Sequence, residues 1–241
     1  MKPNFNIIPF ALLMLVSMQC GYLEEFERGN GDIVTERRSV NDFDQLRIGG
    51  NFEVLLKKGS STWIQIHTDE NLLSLIDTEV HDKILEITQQ KKLISKKKIE
   101  LIINYTDIKK VRVMGAALIK NEDYLLTDDL EIRMDGVGII DLKIRANKLK
   151  AILSGAGIVK LAGEVQEQDL NLTGTGKLEA LDLESKECRI SVGGLGGADI
   201  FVTDKLDARI EGIGGIKYAG NPENLNTEIN GLGKISRLDE E

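Results

Sequence analysis

The chain has 241 residues, of which 29% are charged and 5% aromatic, with 24 glycines, only 3 prolines and a formal net charge of −8. That length holds an ample core, and so ordinary a charge content excludes wholesale disorder. An acidic chain is also a poor partner for nucleic acid, because phosphate contacts need a basic face.

At the start, Lys2 precedes an apolar run from Ile7 to Met18 that ends at "SMQC", Ser17 to Cys20. The run is too short to span a bilayer but suits the hydrophobic part of a secretory signal peptide over residues 1–19. A cysteine just after such a run resembles the lipobox of bacterial lipoproteins, in which it becomes the lipidated first residue. Ser17, Met18 and Gln19 depart from that pattern, which wants Leu, a small residue and then Gly or Ala. Plain secretory cleavage therefore stays open as the alternative. Lipidation at Cys20 makes a membrane the first expected partner and places the chain in the cell envelope as an outer-membrane lipid-anchored protein. Without it, the chain is secreted or periplasmic.

Residues 20–40 then read as a polar, acidic tether carrying Glu24, Glu25 and Glu27, followed by a first strand. Residues 41–241 read as one domain, irregular over 41–110 and regular over 111–238. In the irregular part, "LRIGGNFEVLL" sets Leu46 and Ile48 before Gly50 and Val54 after it, as an early coil would. "DENLLSLI", Asp69 to Ile76, predicts a short helix or turn with an Asp cap. "QQKKLISKKK", Gln89 to Lys98, holds five lysines and reads as a solvated loop between strands.

From Gly115 onward a repeat takes over. Its corner glycines are Gly115, Gly136, Gly155, Gly174, Gly194, Gly212 and Gly231, spaced 18 to 21 residues apart. Two places before them stand Val113, Met134, Leu153, Leu172, Val192, Ile210 and Ile229, and four places after them Ile119, Ile140, Val159, Leu178, Ala198, Ile216 and Ile235. These apolar positions alternate with polar ones, so each repeat is strand, corner, strand with one face buried. A coil of this size cannot bury its apolar face alone, and stacking joins the columns into a continuous core. The predicted fold is all-β, a parallel β-helix with coils of about 19 residues.

That architecture accounts for glycine runs such as "EGIGGIKYAG" as corners where φ > 0 or close backbone approach is needed. A phosphate loop would require a helix after the glycines, and a strand follows. "GGLGGADIF" comes close to the calcium nonapeptide, but Ala198 stands where Asp is needed, and His67 and His81 lack neighbours at ligand spacing. No metal or cofactor is expected. Cys188 falls in a column with Leu130, Leu149, Leu206 and Leu225, which predicts a buried hydrophobe and not a reactive thiol.

"GNGDIVTERRSVNDFDQLRIGGNFEVLLKKG", then "DENLLSLIDTEV", then the repeated x-G-x-G coils together resemble the head GIN-domain family, described as autotransporter adhesin heads. The resemblance covers about residues 28–238 and implies a β-helical fold and an envelope location. It brings no catalytic residues.

The function expected is a non-enzymatic, adhesin-like binding module whose ligand is unknown, with a glycan or a surface protein as the candidates. Its candidate outward ladder is the residue before each corner glycine: Asp135, Ser154, Thr173, Glu211 and Asn230, interrupted by Met114 and Gly193. Outward strand positions are polar by default, and simple solvation is the ordinary reading of that ladder. One alternative is a self-assembling envelope protein, since the ends of a β-helix expose unpaired edges that the charged tail "SRLDEE" would blunt. Another is a polysaccharide-active enzyme, for which Glu131, Asp135 and Asp141 are the nearest thing to a carboxylate cluster. The oligomeric state is not legible.

Overall fold

A computed structural model describes residues 25–238; the segment read as a signal peptide, Cys20 and the last three residues lie outside them. The expected architecture is found, a β-solenoid of about seven turns with parallel pairings about 19 residues apart. The N-terminal strands are β1 (Phe26–Arg28), β2 (Ile33–Ser39), β3 (Gln45–Gly49), β4 (Asn51–Lys58), β5 (Trp63–Asp69), β6 (Ile76–His81), β7 (Ile84–Gln89), β8 (Lys92–Ile94) and β9 (Glu100–Tyr105). A 3-10 turn, Glu70–Leu75, occupies the predicted helix. The solenoid continues through β10 (Lys110–Val113), β11 (Ala116–Asn121), β12 (Leu125–Leu126), β13 (Asp129–Met134) and the long bent strands β14 (Val137–Leu153) and β15 (Ala156–Leu172). It closes with β16 (Thr175–Ala180), β17 (Leu183–Val192), β18 (Leu195–Phe201), β19 (Lys205–Ile210), β20 (Ile213–Ala219), β21 (Asn224–Ile229) and β22 (Leu232–Arg237).

The columns read from the sequence stack in register. Leu46, Val111, Ile132, Ala151, Leu170, Ile190 and Ala208 face one another coil to coil, and all are buried. The column after the corner, Val54, Ile119, Ile140, Val159, Leu178, Ala198 and Ile216, is buried likewise. Fully burying each such branched side chain contributes about 1.5–3 kcal/mol, so the columns carry most of the stability.

At the corners the backbone repeats one hydrogen-bonding device. Ser154 N–H and Gly155 N–H both donate to the Met134 carbonyl of the coil below, and Ala156 N–H donates to the Gly136 carbonyl. Successive corner glycines therefore lie directly over one another. A Cβ on Gly155 would run into the carbonyl oxygen of Gly136, which is why a side chain is not accommodated there.

The two ends differ. At the N-terminal end, β7 and β9 continue the parallel stacking beneath β3 and β4. Antiparallel strands then cover them: β6 on β7, β5 on β9, and β2 on β5. The outermost strand, β2, carries Glu36, Arg37 and Arg38, charges that blunt an edge. At the C-terminal end β21 is exposed along its whole length, and Leu225, Ile229 and Leu232 face solvent.

Two stretches differ from their sequence reading. Asp69 does not cap the 3-10 turn; its carboxylate instead accepts hydrogen bonds from Gly31 N–H at 2.7 Å and from the Ser95 hydroxyl. The lysine run is not loop alone, because Lys92–Ile94 forms β8 and pairs in parallel with β1, which lies within the segment read as tether. Together β1 and β8 make a two-stranded flap separate from the solenoid sheet.

Candidate functional site

One face of the solenoid gathers the features a binding surface needs. It is built by β13, the last turn of β14, the last turn of β15, β17 and β19, which stack in parallel in that order. Along this face every second side chain points outward, and stacking sets equivalent residues about 4.8 Å apart. The central outward column runs Lys110, Glu131, Lys150, Asp169, Arg189, Asp207, alternating in sign at each step. Lys110 and Glu131 are ion-paired at 2.9 Å, and beside this column Lys148 and Glu167 pair at 3.1 Å. Partly exposed pairs like these contribute little each to stability, but their alternation fixes register and presents both signs to a ligand.

One edge of the face is a groove of about 620 Å³ along the solenoid axis, where each coil bends into its last strand. The charged columns flank it, and between them run Leu130, Leu149, Gln168 and Cys188, whose side chains alternate inward to the core. Gln168 is 3% exposed, and neither atom of its side-chain amide has a hydrogen-bond partner within the described chain. A buried, unpartnered amide costs about 1–3 kcal/mol, so it stands out in a column otherwise made of leucines and one cysteine. The sequence holds the signal: Gln168 is the one strongly polar residue six places before a corner glycine from Leu130 onward. Cys188 is buried as expected, and burial pushes its thiol pKa well up, so it remains protonated and unreactive.

The other edge is the predicted ladder, about 17 Å away along each strand, five residues on from Gln168 to Thr173. Asp135, Ser154 and Thr173 lie at successive corners, and Glu211 and Asn230 at the later ones, with Gly193 between Thr173 and Glu211. Ser154 and Thr173 hydroxyls lie 3.4 Å apart, and Asn230 donates to Glu228 at 2.9 Å. Asp135 is half-buried and already engaged, by Arg112 at 2.8 Å and Arg133 at 2.9 Å. Burial opposes its ionisation, but the hydrogen bonds from Arg133 and Arg112 outweigh that and hold its pKa below the usual carboxylate value. Past the corner, the next outward column is partly apolar, with Val137, Leu195, Ile213 and Leu232 exposed. Polar ladder and apolar ridge therefore run side by side down the axis.

The carboxylates weighed for catalysis are not gathered into a dyad. Glu131 is paired with Lys110 and Asp135 with two arginines, while Asp141 stands beyond the corner in register between Lys120 and Lys160. Asp199, adjacent to the calcium-like position, is bound by Lys177 at 2.6 Å. Among the described residues no three His, Cys, Asp or Glu side chains stand together as a metal site would require, and no helix is long and apolar enough to cross a membrane.

A family model described as "Putative auto-transporter adhesin, head GIN domain" matches residues 42–222. A crystal structure from Bacteroides fragilis, described as a "putative adhesin", is 28% identical, with a TM-score of 0.85 over 88% of this chain and 100% of its own. A "putative lipid binding protein" from Parabacteroides distasonis is 22% identical, with a TM-score of 0.69 over 89% of this chain and 100% of its own. A "putative adhesin" from Parabacteroides merdae is 23% identical, with a TM-score of 0.62 over 88% of this chain and 99% of its own. The last two establish a shared fold only. No curated protein matches the sequence.

Proposed function

The chain belongs to the auto-transporter adhesin head GIN-domain family, and from that premise we propose that it is a non-enzymatic, lipid-anchored binding module of the cell envelope. Cys20 is the anchor, which makes the outer membrane its location. Its ligand is an extended chain, a glycan or a surface polypeptide, laid along the solenoid axis on the face between the groove and the corner ladder. The carrying observation is the groove itself, lined along the axis by six in-register charges of alternating sign. A ligand with alternating donors and acceptors would match that column. Asp135, Ser154, Thr173, Glu211 and Asn230 would contribute hydrogen bonds at the far edge, beside the apolar ridge.

The test combines a glycan and matrix-protein binding screen with two charge reversals. Lys150→Glu with Arg189→Glu should weaken whichever ligand the screen finds by at least about tenfold, or 1.4 kcal/mol. Binding that survives both reversals places the ligand elsewhere. Gln168→Leu completes the apolar column, so it should stabilise the fold by about 1–3 kcal/mol, raise the melting temperature and leave binding unchanged. Turnover of a polysaccharide in the same screen contradicts the non-enzymatic reading.

A further inference from the structure

We infer that the β1–β8 flap is a membrane-docking surface that lies on anionic lipid headgroups. Phe26 pairs with Lys92 and Arg28 with Ile94, so alternation puts all four side chains on one face of the two-stranded sheet. That face is the exposed one. Phe26 is 51% exposed and Ile94 39%, while Leu93 on the opposite face is buried against the core. The Arg28 guanidinium sits 5.5 Å from the centre of the Phe26 ring. Exposed Lys96 and Lys97 follow at once in the adjoining loop, which the Ser95–Asp69 hydrogen bond holds in place.

Large apolar side chains interleaved with cations are the composition that sits at a bilayer interface, apolar groups in the headgroup boundary and cations on lipid phosphates. The patch also runs against the charge of the whole chain, which is formally −8. The flap's own acids, Glu25 and Glu27, are engaged by Lys91 at 3.3 and 3.9 Å. Chain length supplies the second argument. Five chain steps lead from Cys20 to Glu25, whose carbonyl accepts from Lys92 N–H at 3.1 Å. Fully extended, they reach at most about 18 Å. A lipid on Cys20 therefore brings the flap within about that distance of the membrane, and the inference rests on the anchor reading for where that membrane lies. A single lipid with a second, electrostatic attachment holds a protein on a bilayer far better than either alone.

The flap can be tested without the anchor. The chain from residue 20 onward carrying Cys20→Ser is floated with phosphatidylcholine vesicles, with and without phosphatidylglycerol. It should float only with the anionic vesicles and be released by high salt. Lys96→Gln with Lys97→Gln should weaken the partition roughly 30-fold, at about 1 kcal/mol per lysine near the surface. Phe26→Ser with Ile94→Ser should weaken it as well, and Lys150→Gln with Lys205→Gln in the groove should leave it unchanged. No flotation with anionic vesicles, or an equal loss from the groove variants, overturns the inference. The mass of the mature N-terminus from cells separates the two claims. An unlipidated Cys20 with flotation intact refutes the anchor and leaves the flap standing.

Discussion

The two glycines of each x-G-x-G corner answer to different constraints. The first, as at Gly155, is excluded from carrying a side chain by the Gly136 carbonyl of the coil below. The second, as at Gly157, carries that same obstruction from Gly138 and also a φ of +145°, outside the range that L side chains readily adopt. Gly157→Ala should therefore cost more than about 1 kcal/mol. By contrast Gly193, in the ladder column, has only the Thr173 methyl at 3.8 Å from where a Cβ would stand. Gly193→Ala should change stability by no more than about 0.5 kcal/mol, as a surface substitution does. Thermal denaturation of the pair decides it; equal losses would mean that the corners do not owe their glycines to close packing. The glycine column was legible because its period is regular. What a given glycine does was not, since sequence shows spacing and not which neighbouring carbonyl presses against it. Gln168 shows the opposite failure: the signal was present, but the leucines around it defined the column and hid its exception.

Among the elements, those made by local alternation were legible and the flap was not. β10 through β22 each repeat a pattern that neighbouring coils copy, so every coil is evidence for the next. β8 is three residues long, too short for periodicity, and its partner β1 lies more than sixty residues earlier in an acidic stretch. Only tertiary pairing makes either a strand. Asp69 misled for a similar reason, because a residue placed to cap a helix is equally placed to bond the loops that cross it. Its carboxylate is held below the usual pKa chiefly by the Ser95 hydrogen bond, with the Gly31 N–H adding and burial opposing. A lowered folded pKa means that the ionised form favours the folded flap. That contribution is complete above the free-Asp value of about 3.9 and fades as pH falls through the folded value. Amide protection factors over residues 92–98 should hold from neutral pH down to about 4, then decline. In Asp69→Asn they should be low already at neutral pH. Protection indifferent to both acid and the substitution would show that the flap is held by something other than this carboxylate.

At the scale of the whole molecule, antiparallel strands cover the N-terminal end of the solenoid, while among the described residues β21 at the other end is exposed. The antiparallel strands that close the N-terminal end also carry the flap, so the covered end is the one nearest the proposed anchor. The coils then lead away from that end, and their long face offers the groove and the ladder sideways along the axis. A rigid stack of this kind needs no conformational change to present its face, because each coil is held by the coils above and below it. The fold and the family agree with an envelope or extracellular role, and the account's central claim is more specific: a lipid on Cys20 holds the domain on the outside of the cell. The most direct test is protease digestion of intact cells carrying either the wild-type chain or Cys20→Ser. The account predicts that the wild-type domain is attached and digested without lysis, while the Cys20→Ser chain is released or misplaced. A wild-type domain that stays protected until the outer membrane is opened would contradict it.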